Sequence, residues 1–325
     1  MSANPIVTVL MPVYNGSAYL REAIESILNQ TFQLFELLII DDGSTDDSRE
    51  IVNSFNDARI RLICQQCNQG LIKTLNLGLN LTRTPYLARM DADDVALPER
   101  LGKQVEFLQT HPEISCVGSD FIWLGNPNEK SWVNYFTPNE IKVALLFGCP
   151  LCHPTVMFRM EDIRRYSLSY SSDYLHAEDY AFWVEISQNL QIANLTETLL
   201  QYRKHAGQIS KLKSDIQCRS IDKIQVDQLR KLGIEPTLAD LMLNHVLGGA
   251  FIPIPFLSYL LQHWCLHILE ANRKIHYFPQ EVLKQQLERR VISSVSFTKI
   301  LLKQMSPIRK LHWYITSTWR YWLHH

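Results

Sequence analysis

The stretch that decides the fold is Tyr86-Leu-Ala-Arg89-Met-Asp91-Ala-Asp93-Asp94, a short apolar run that ends in three carboxylates. An apolar run of this length, bounded by a polar turn, predicts a buried strand. The acids after it would lie beyond the carboxyl end of that strand, which is where open α/β sheets bind their ligands. We therefore expect a sheet around this strand and the chemistry of the protein at the acids. Arg89, next to them, is interpreted as a structural ion partner of the acids.

Short apolar runs alternate with amphipathic ones on both sides of this segment. Further strands are predicted at Ile6–Val13, Phe35–Ile40, Arg59–Cys64 and Ile114–Gly118. The helices predicted between them are Ala18–Asn29, a segment that ends at Ser54, Gly70–Leu81 and Pro98–Gln109. Strands that alternate with single helices imply right-handed crossovers, so the fold class is α/β with a mainly parallel central sheet flanked by helices.

The pattern changes from about Lys211, where strand signals vanish and the remaining sequence is predicted to be helical. The helices predicted there are Asp215–Leu232, Thr237–Leu247, Pro255–Ala271, Gln280–Lys303 and Pro307–Leu323. We place a boundary near residue 210, between an α/β domain (1–210) and a helical C-terminal region (211–325). The last predicted helix combines an apolar face with tryptophans, tyrosines and arginines, which suits either a membrane interface or packing on the α/β domain.

A second group of acids, Asp41 and Asp42, follows the second predicted strand. Acids that meet at one edge of a sheet, here with Asp91, Asp93 and Asp94, repel one another unless a cation or donor groups compensate their charge. Mn²⁺ and Mg²⁺ prefer hard oxygen ligands of this kind. The alternative is that these are solvated loop acids, with Asp42 and Asp94 capping helices. That alternative explains one acid in each turn, but it does not explain the clustering.

Composition and charge narrow the class of protein. The 325 residues carry a formal net charge of -1, so we expect no nucleic-acid partner. The first residues lack a basic segment followed by a long apolar run, and no signal peptide is predicted. Seven cysteines, an odd number, then favour reduced thiols and a cytoplasmic protein. A zinc site built from the pairs Cys64/Cys67 and Cys149/Cys152 is the weaker alternative. No stretch has 18 uninterrupted apolar residues, so no membrane span is predicted.

Several motifs follow one another in a fixed order. They are Thr8-Val-Leu-Met-Pro12-Val-Tyr14-Asn15-Gly16, Ile40-Asp-Asp42-Gly-Ser-Thr-Asp46, Asn68-Gln-Gly70, Leu75-Asn76-Leu-Gly78, the Asp-x-Asp (DxD) segment with Pro98-Glu-Arg100-Leu101, and Glu178-Asp179. With this order over residues 5–210 the chain resembles glycosyltransferase family 2, the inverting enzymes of GT-A (nucleotide-diphospho-sugar transferase) fold. His153-Pro154-Thr155 and Tyr202-Arg203-Lys-His205 resemble elements of a bacterial subgroup that builds surface polysaccharides. Leu75 departs from the family, in which many members carry arginine there.

The resemblance implies where a nucleotide-sugar binds. The turn from Pro12 to Asn15 would receive the nucleotide base, with Tyr14 offering a ring or backbone contact. Asp42, the second acid after the second strand, would accept a hydrogen bond from the uracil N–H. Lys73 lies close to Leu75 on the same predicted helix and is the basic candidate for the nucleotide-sugar site. The donor implied in this way is a UDP-sugar.

The resemblance also implies a metal site for Mn²⁺ or Mg²⁺. Asp93 would ligate the cation directly, and Asp91 would contact the ribose or reach the cation through water. His205 is a further candidate ligand, and Arg203 or His205 would help to hold the diphosphate. A cation in this position neutralises the charge that develops on the departing diphosphate.

Inversion needs a base on the side of the sugar opposite the leaving group. The resemblance assigns that role to Asp179, from the Glu178-Asp179 motif at the start of a predicted helix. The alternative is that both acids only favour the N-terminus of that helix. His176 is a lesser candidate for the base. Glu178 and His153 are candidates for the acceptor or donor-sugar pocket, although His153 is equally consistent with a hydrogen-bonded core histidine.

Together these expectations describe a metal-dependent hexosyl- or N-acetylhexosaminyltransferase that moves one sugar to an acceptor hydroxyl. The resemblance implies a glycan or lipid-linked glycan acceptor in bacterial O-antigen, capsule or exopolysaccharide synthesis. Peripheral contact of the last predicted helix with the inner face of the cell membrane, one of its two interpretations, would suit a lipid-linked acceptor. The alternative function is a non-catalytic nucleotide-sugar-binding or scaffold protein of the same fold. Retention of the acids Asp42, Asp91, Asp93 and Asp179 favours the enzyme.

Overall fold

The computed structural model describes residues 4–126, 128–129, 131–205, 214–250 and 257–304, and their side chains except those of residues 214 and 295–304. The chain divides into two compact units. The first comprises Met1–Pro138, Pro150–Asp173 and Ala181–Leu212, and the second Asn139–Cys149, Tyr174–Tyr180 and Lys213–His325, as far as these are described. The predicted boundary near residue 210 falls within 206–213, outside the described residues. A single boundary does not anticipate the two earlier segments of the second unit.

The first unit is built on a sheet that the described residues form from eight strands, in the order β3-β2-β1-β4-β7-β6-β8-β5. The strands are β1 Val7–Val13, β2 Phe35–Asp41, β3 Ile60–Cys64, β4 Tyr86–Arg89, β5 Val95–Ala96, β6 Ile114–Trp123, β7 Met157–Arg159 and β8 Gln191–Tyr202. The pairings β1–β2, β1–β4, β2–β3 and β6–β8 are parallel. The pairings β4–β7, β5–β8 and β6–β7 are antiparallel.

Helices alternate with these strands along the chain and continue after β8. Numbered along the chain, they are α1 Leu20–Leu28, α2 Ser48–Asn53, α3 Leu71–Leu81, α4 Arg100–Thr110, α5 Pro138–Ala144, α6 Met160–Arg165, α7 Glu178–Asn189, α8 Ser214–Lys231, α9 Leu238–Leu247, α10 Leu257–Ile275 and α11 Gln280–Gln304, with a short 3₁₀ helix at His153–Thr155. The α/β class with flanking helices and a helical C-terminal region is thereby confirmed.

The strands at the centre of the sheet are buried on both faces, which is why they appear in the sequence as continuous apolar runs. All residues of β1 except Pro12 are buried, including its single polar residue, Thr8. Thr8 is satisfied by side-chain hydrogen bonds to Glu36 and Thr84. The four strands predicted around the DxD segment are confirmed, as is the strand that precedes it, and most of their ends lie within a residue or two of the predicted ones.

Three features of the sheet were not predicted from the sequence pattern. Strand β6 continues to Trp123 instead of ending at Gly118, because irregular register at Ser119 and Asp120 lets the strand pass a polar interruption. Strands β5 and β7 have two and three residues. Elements this short do not show a periodicity, so sequence reasoning does not find them. The twelve-residue strand β8 was not among the strands predicted above.

The second unit is helical, as predicted. Helices α8 to α11 correspond to four of the five helices predicted after Lys211, and the fifth, Pro307–Leu323, lies outside the described residues. Thr237 and Asp240 form a reciprocal capping box that fixes the start of α9. The apolar core of this unit includes Trp264 of α10 and Leu283 of α11. Within the part of the chain that the structure describes, we find no helix whose length and apolar character would let it cross a bilayer.

We expect Gly78→Ala to lower the free energy of unfolding by about 1–3 kcal/mol through overpacking, measured by urea denaturation. A Cβ atom on Gly78 of α3 would lie 2.3 Å from Leu10 Cδ2 and 2.9 Å from Leu10 Cγ, and Leu10 itself is 1% exposed on β1. Gly102 of α4 is the matched control, since the nearest atom to its Cβ is Phe32 Cβ at 3.8 Å. Gly102→Ala should raise stability by up to about 1 kcal/mol through helix propensity. Equal effects of the two substitutions would contradict the close approach of α3 to β1.

Candidate active site

The strands that carry the predicted site residues end side by side. β2, β1 and β4 are neighbours in the sheet and run parallel. Val13 lies opposite Asp41, and Leu10 lies opposite Arg89. The loops after these three strands therefore leave the same edge of the sheet, where ligands of α/β proteins bind.

The loop after β1 is tied to the loop after β2 through Asn15. Its backbone is left-handed, with φ 51°, a conformation that asparagine tolerates better than most residues. The Asn15 N–H donates to Ser44 Oγ at 2.9 Å, and Asn15 Oδ1 accepts from the Thr45 N–H at 2.8 Å. Tyr14, beside it, is 51% exposed, while Pro12 is half-buried in β1. The predicted base-binding turn is thus a rigid loop with one accessible aromatic ring.

Asp42 is a buried acceptor that organises the start of α3. It is 3% exposed, and its carboxylate accepts from Gln65 Nε2 at 2.8 Å, from the Gln69 N–H at 2.7 Å and from the Gly70 N–H at 2.8 Å. An ionised carboxylate has about four acceptor positions, so three are already filled within the protein. About one position therefore remains for a ligand N–H.

The neighbouring residues hold the loops after β2 and β3 together. Asp41 pairs with Arg49 at 2.6 Å and accepts from the Ser44 N–H. Gly43 has φ 76°, and a Cβ atom there would lie 2.6 Å from the carbonyl carbon of Cys67. Two backbones pack directly on each other at this point, which only glycine permits.

Three acids come together directly after β4. One carboxylate oxygen from each of Asp91, Asp93 and Asp94 lies within 4.8 Å of the others. Burial and the charge of Asp91 raise the pKa of Asp93, and burial with both neighbours raises the pKa of Asp94 well above its usual range. Asp94 Oδ2 is buried and has no hydrogen-bond partner among the described residues. Clustered oxygen ligands with an unused buried acceptor fit a divalent cation.

Arg89 compensates part of this charge from inside the protein. It is 2% exposed and forms an ion pair with Asp91, which confirms its predicted role as a structural ion partner. A buried arginine requires such a partner, because an unpaired charge in the interior is costly.

The segment at the end of β8 is bonded directly to the acids. The Arg203 N–H donates to Asp94 Oδ1 at 2.8 Å, and Arg203 Nε donates to the Asp93 carbonyl at 2.7 Å. His205 Nε2 lies 2.8 Å from Asp93 Oδ2. The structure thus brings together four of the residues that the sequence predicts for the metal and diphosphate: Asp91, Asp93, Arg203 and His205.

Comparison with known proteins agrees with this arrangement. The sequence model of glycosyl transferase family 2 matches residues 8–166. A protein of Haemophilus influenzae, named an uncharacterized glycosyltransferase, is 35% identical over 247 residues, which cover 71% of this chain and 76% of the relative. The chain belongs to glycosyltransferase family 2.

One further relative and one solved structure are similar to this family 2 protein. The Escherichia coli glucosyltransferase WfaP, named UDP-Glc:alpha-D-GlcNAc-diphosphoundecaprenol beta-1,3-glucosyltransferase, is 29% identical over 210 residues, covering 63% of this chain and 80% of WfaP. Glucosyl-3-phosphoglycerate synthase of Mycobacterium tuberculosis, solved with Mn²⁺, UDP and glucosyl-3-phosphoglycerate, matches with a TM-score of 0.53 and 20% identity over 72% of this chain and 82% of that one. The second likeness shows the shared GT-A fold.

Two other predicted site residues contact groups other than the acids. Lys73 is exposed on α3, with Nζ 3.3 Å from Gln69 Oε1. His153 is 9% exposed on the 3₁₀ helix, with Nε2 3.0 Å from the Tyr170 hydroxyl. Burial and the charge of Arg89 lower the pKa of His153 well below its usual range. This interior position favours the core-histidine alternative.

The Glu178-Asp179 motif begins α7 and belongs, up to Tyr180, to the second unit. Glu178 is buried, Asp179 is half-buried, and Asp179 Oδ1 accepts from the Tyr180 N–H at 2.7 Å. His176, just before the motif, has a left-handed backbone with φ 64°. The functional roles of these three residues remain predictions.

Sequence reasoning missed two residues that hold Arg203. Arg203 forms an ion pair with Glu22, and its guanidinium carbon lies 4.5 Å from the Tyr19 ring centroid. The His205 ring lies 5.2 Å from the same ring. Glu22 is an acid in the first turn of α1, and Tyr19 is the residue before that helix. Both therefore look like ordinary helix-start residues, and only the three-dimensional contact reveals them.

We expect Asp42→Asn to lower the free energy of unfolding by about 1–3 kcal/mol. Both carboxylate oxygens of Asp42 accept hydrogen bonds, so the NH₂ group of asparagine would face at least one of these N–H donors. Hydrogen exchange at the Gln69 and Gly70 amides should accelerate in the same variant. Asp47→Asn is the control, since Asp47 is exposed and makes no capping hydrogen bond at α2. Unchanged exchange at both amides would show that Asp42 does not organise the start of α3.

Proposed function

We propose that the protein transfers one sugar from a UDP-sugar to a hydroxyl of a lipid-linked glycan, with inversion, in the synthesis of a bacterial surface polysaccharide. Glycosyltransferase activity follows from the family, and the donor, acceptor and stereochemistry are the proposal. The observation that carries it is the bonding of Arg203 and His205 to Asp93 and Asp94. Three acids and two basic side chains at one point suit a diphosphate beside a divalent cation.

The cation in this proposal is Mn²⁺ or Mg²⁺, held by Asp93 and His205, with Asp91 acting through water or on the ribose. When bound, the cation neutralises charge on the leaving diphosphate. Carboxylate oxygens suit both ions, and imidazole nitrogen favours the softer Mn²⁺ over Mg²⁺. The buried Asp94 Oδ2, without a partner among the described residues, supports a cation nearby. The Mycobacterium tuberculosis synthase of the same fold was solved with Mn²⁺.

The nucleotide in this proposal lies on the loops after β1 and β2. The exposed Tyr14 ring stacks on the uracil, supported by the fixed turn at Asn15. Asp42 offers its remaining acceptor position to the uracil N–H. Lys73, exposed on α3, adds positive charge for the phosphates. Arg203 contributes charge from the end of β8.

The proposed base is Asp179. It takes the proton of the acceptor hydroxyl as that oxygen forms its bond to the anomeric carbon, while the bond from the anomeric carbon to the diphosphate breaks and UDP leaves. A half-buried carboxylate at a helix start can accept such a proton. Support for Asp179 comes from the family motif and from its half-buried side chain.

A relative supports the proposed class of acceptor. WfaP, by its name, glucosylates N-acetylglucosamine on a diphosphoundecaprenol lipid. We extend that class, a lipid-linked glycan, to this protein, which would meet its acceptor at the inner face of the membrane. The predicted helix Pro307–Leu323 is the proposed membrane contact and lies outside the described residues.

A panel of nucleotide-sugars with lipid-linked or synthetic glycan acceptors tests this function through release of nucleoside diphosphate. We expect Mn²⁺-dependent release from one UDP-sugar. Asp179→Asn should lower kcat by about 10²–10⁴-fold, because it removes the base. Glu113→Gln, an exposed acid outside the site, is the control and should retain full activity. Full activity of Asp179→Asn would remove Asp179 from the mechanism, and release from GDP- or dTDP-sugars alone would replace the proposed donor.

Metal binding has a separate readout in thermal unfolding. We expect Mn²⁺ to raise the Tm of the wild-type protein, because a ligand that binds only the folded state stabilises it. Asp93→Ala should abolish the shift, and Glu113→Gln should keep it. An equal shift in wild type and Asp93→Ala would mean that the cation binds elsewhere.

A further inference from the structure

The end of β8 alternates between two sets of contacts. Arg203 and His205 are bonded to the acids after β4, whereas the Tyr202 ring and the Lys204 ammonium contact the ring of Trp123. The acid site and the Trp123 ring therefore share one short stretch of chain.

Trp123 belongs to a cluster of four rings that we call the aromatic platform: Phe121, Trp123, Trp132 and Tyr202. All six pairs of rings have centroids within 5.7 Å of each other. The interplanar angles run from 49° to 89°, so the rings meet edge-on or tilted, as aromatic pairs prefer. Phe121 is 1% exposed and Trp132 is 40% exposed. The platform thus combines one ring that is buried in the protein with an indole that a ligand can reach.

The accessible indole is held in place by the residues around it. Ser131, before it, hydrogen-bonds to Asp120 through its hydroxyl, and Val133, after it, is 4% exposed. The Trp132 carbonyl accepts from Asn134 Nδ2 at 2.9 Å. These contacts hold the backbone that carries the ring, and the rings of Phe121, Trp123 and Tyr202 pack against the indole itself, so less freedom is lost when a ligand binds.

Polar groups border the aromatic platform. Lys204 Nζ lies 3.5 Å from the centroid of Trp123 and pairs with Glu129, and both charged side chains are more than 40% exposed. Burial and the charges of Asp91 and its neighbours raise the pKa of the Tyr202 hydroxyl, so the platform lies within the electric field of the acids. Apolar faces with a few convergent polar groups are the usual lining of small-molecule sites.

We propose that the aromatic platform binds a pyranose ring of the acceptor glycan, which stacks on Trp132 and hydrogen-bonds to Lys204 and Glu129. This inference rests on the proposed function and deepens it, because it assigns an acceptor subsite. One face of a pyranose presents polarised C–H groups that match the negative face of an indole. Its hydroxyls need both donors and acceptors, which an ammonium and a carboxylate supply.

A nucleobase also stacks on aromatic rings, but the sheet order argues against it here. The aromatic platform stands on β6 and β8, and β4 and β7 separate these strands from β1, where the exposed Tyr14 follows the strand. A base on Trp132 would leave the loop after β1 unused. The segment that carries Tyr202 continues directly into Arg203 and His205, so a sugar on the platform has the reacting diphosphate as its neighbour.

Saturation-transfer NMR on the full chain, with diamagnetic Mg²⁺ and UDP present, tests the subsite with methyl pyranosides of glucose, galactose, mannose and N-acetylglucosamine as probes. We expect transfer to at least one pyranoside from the wild-type protein. Trp132→Ala and Trp132→Leu should each weaken that binding about tenfold, since leucine keeps apolar volume but has no ring face. Trp132→Tyr should retain most of it. Tyr166→Ala is the matched control, an aromatic with the same 40% exposure in the same unit.

The outcomes distinguish a failure of the proposed acceptor subsite from a failure of the proposed function. In Trp132→Ala we expect the KM for the acceptor to rise while the KM for the donor does not, and in the control Tyr166→Ala slow donor hydrolysis without acceptor should be unchanged. Loss of hydrolysis or of UDP binding in Trp132→Ala would assign the ring to the donor and overturn the proposal. Pyranoside binding equal to wild type in Trp132→Leu would overturn it too, as would a wild-type protein that transfers saturation to no pyranoside. Wild-type failure to hydrolyse any UDP-sugar would instead refute the proposed donor.

Discussion

Repulsion among the three carboxylates after β4 is the constraint on which the rest of the site depends. Two unit charges about 4 Å apart interact by about 4 kcal/mol at the effective dielectric near a protein surface, which is a large part of a domain's stability. The chain answers this repulsion with Arg89 from the interior and with Arg203 and His205 from the end of β8. A cation would complete the compensation. The position of β8, and with it the edge of the sheet, is therefore coupled to the acids.

The loops around the acids are rigid for a different reason. Asn15, Asp42 and Gly43 connect the segments after β1, β2 and β3 through hydrogen bonds from backbone N–H groups to short side chains and one backbone contact that excludes a side chain. None of these connections relies on long, flexible side chains. A binding site built in this way keeps its geometry before a ligand arrives, which lowers the ordering cost of binding.

The sequence was sufficient for the parallel half of the sheet, because the strands there are buried on both faces and alternate with amphipathic helices. It was also sufficient for the carboxylates, since acids directly after strands are conspicuous. It was insufficient for β5 and β7, whose two and three residues carry no periodicity. The partners of Arg203, Tyr19 and Glu22, were equally hidden, because they are separated from it by more than 180 positions and look like helix-start residues. For His153 the sequence was equally consistent with a pocket residue and with a core histidine, and its burial in the structure favours the core histidine.

The separation of the acids from their basic partners along the chain has a consequence for synthesis on the ribosome. Asp94 and Arg203 are 109 positions apart, and Asp93 and His205 are 112 apart. At roughly 5–20 residues per second, the carboxylates leave the ribosome roughly 5–20 seconds before the residues that neutralise them. During this interval strands β5 and β6 also lack β8, the strand with which each of them pairs in the folded sheet. A nascent chain that pauses there exposes unpaired strand edges and mutually repelling acids, and it is in this interval that a chaperone has the most to protect.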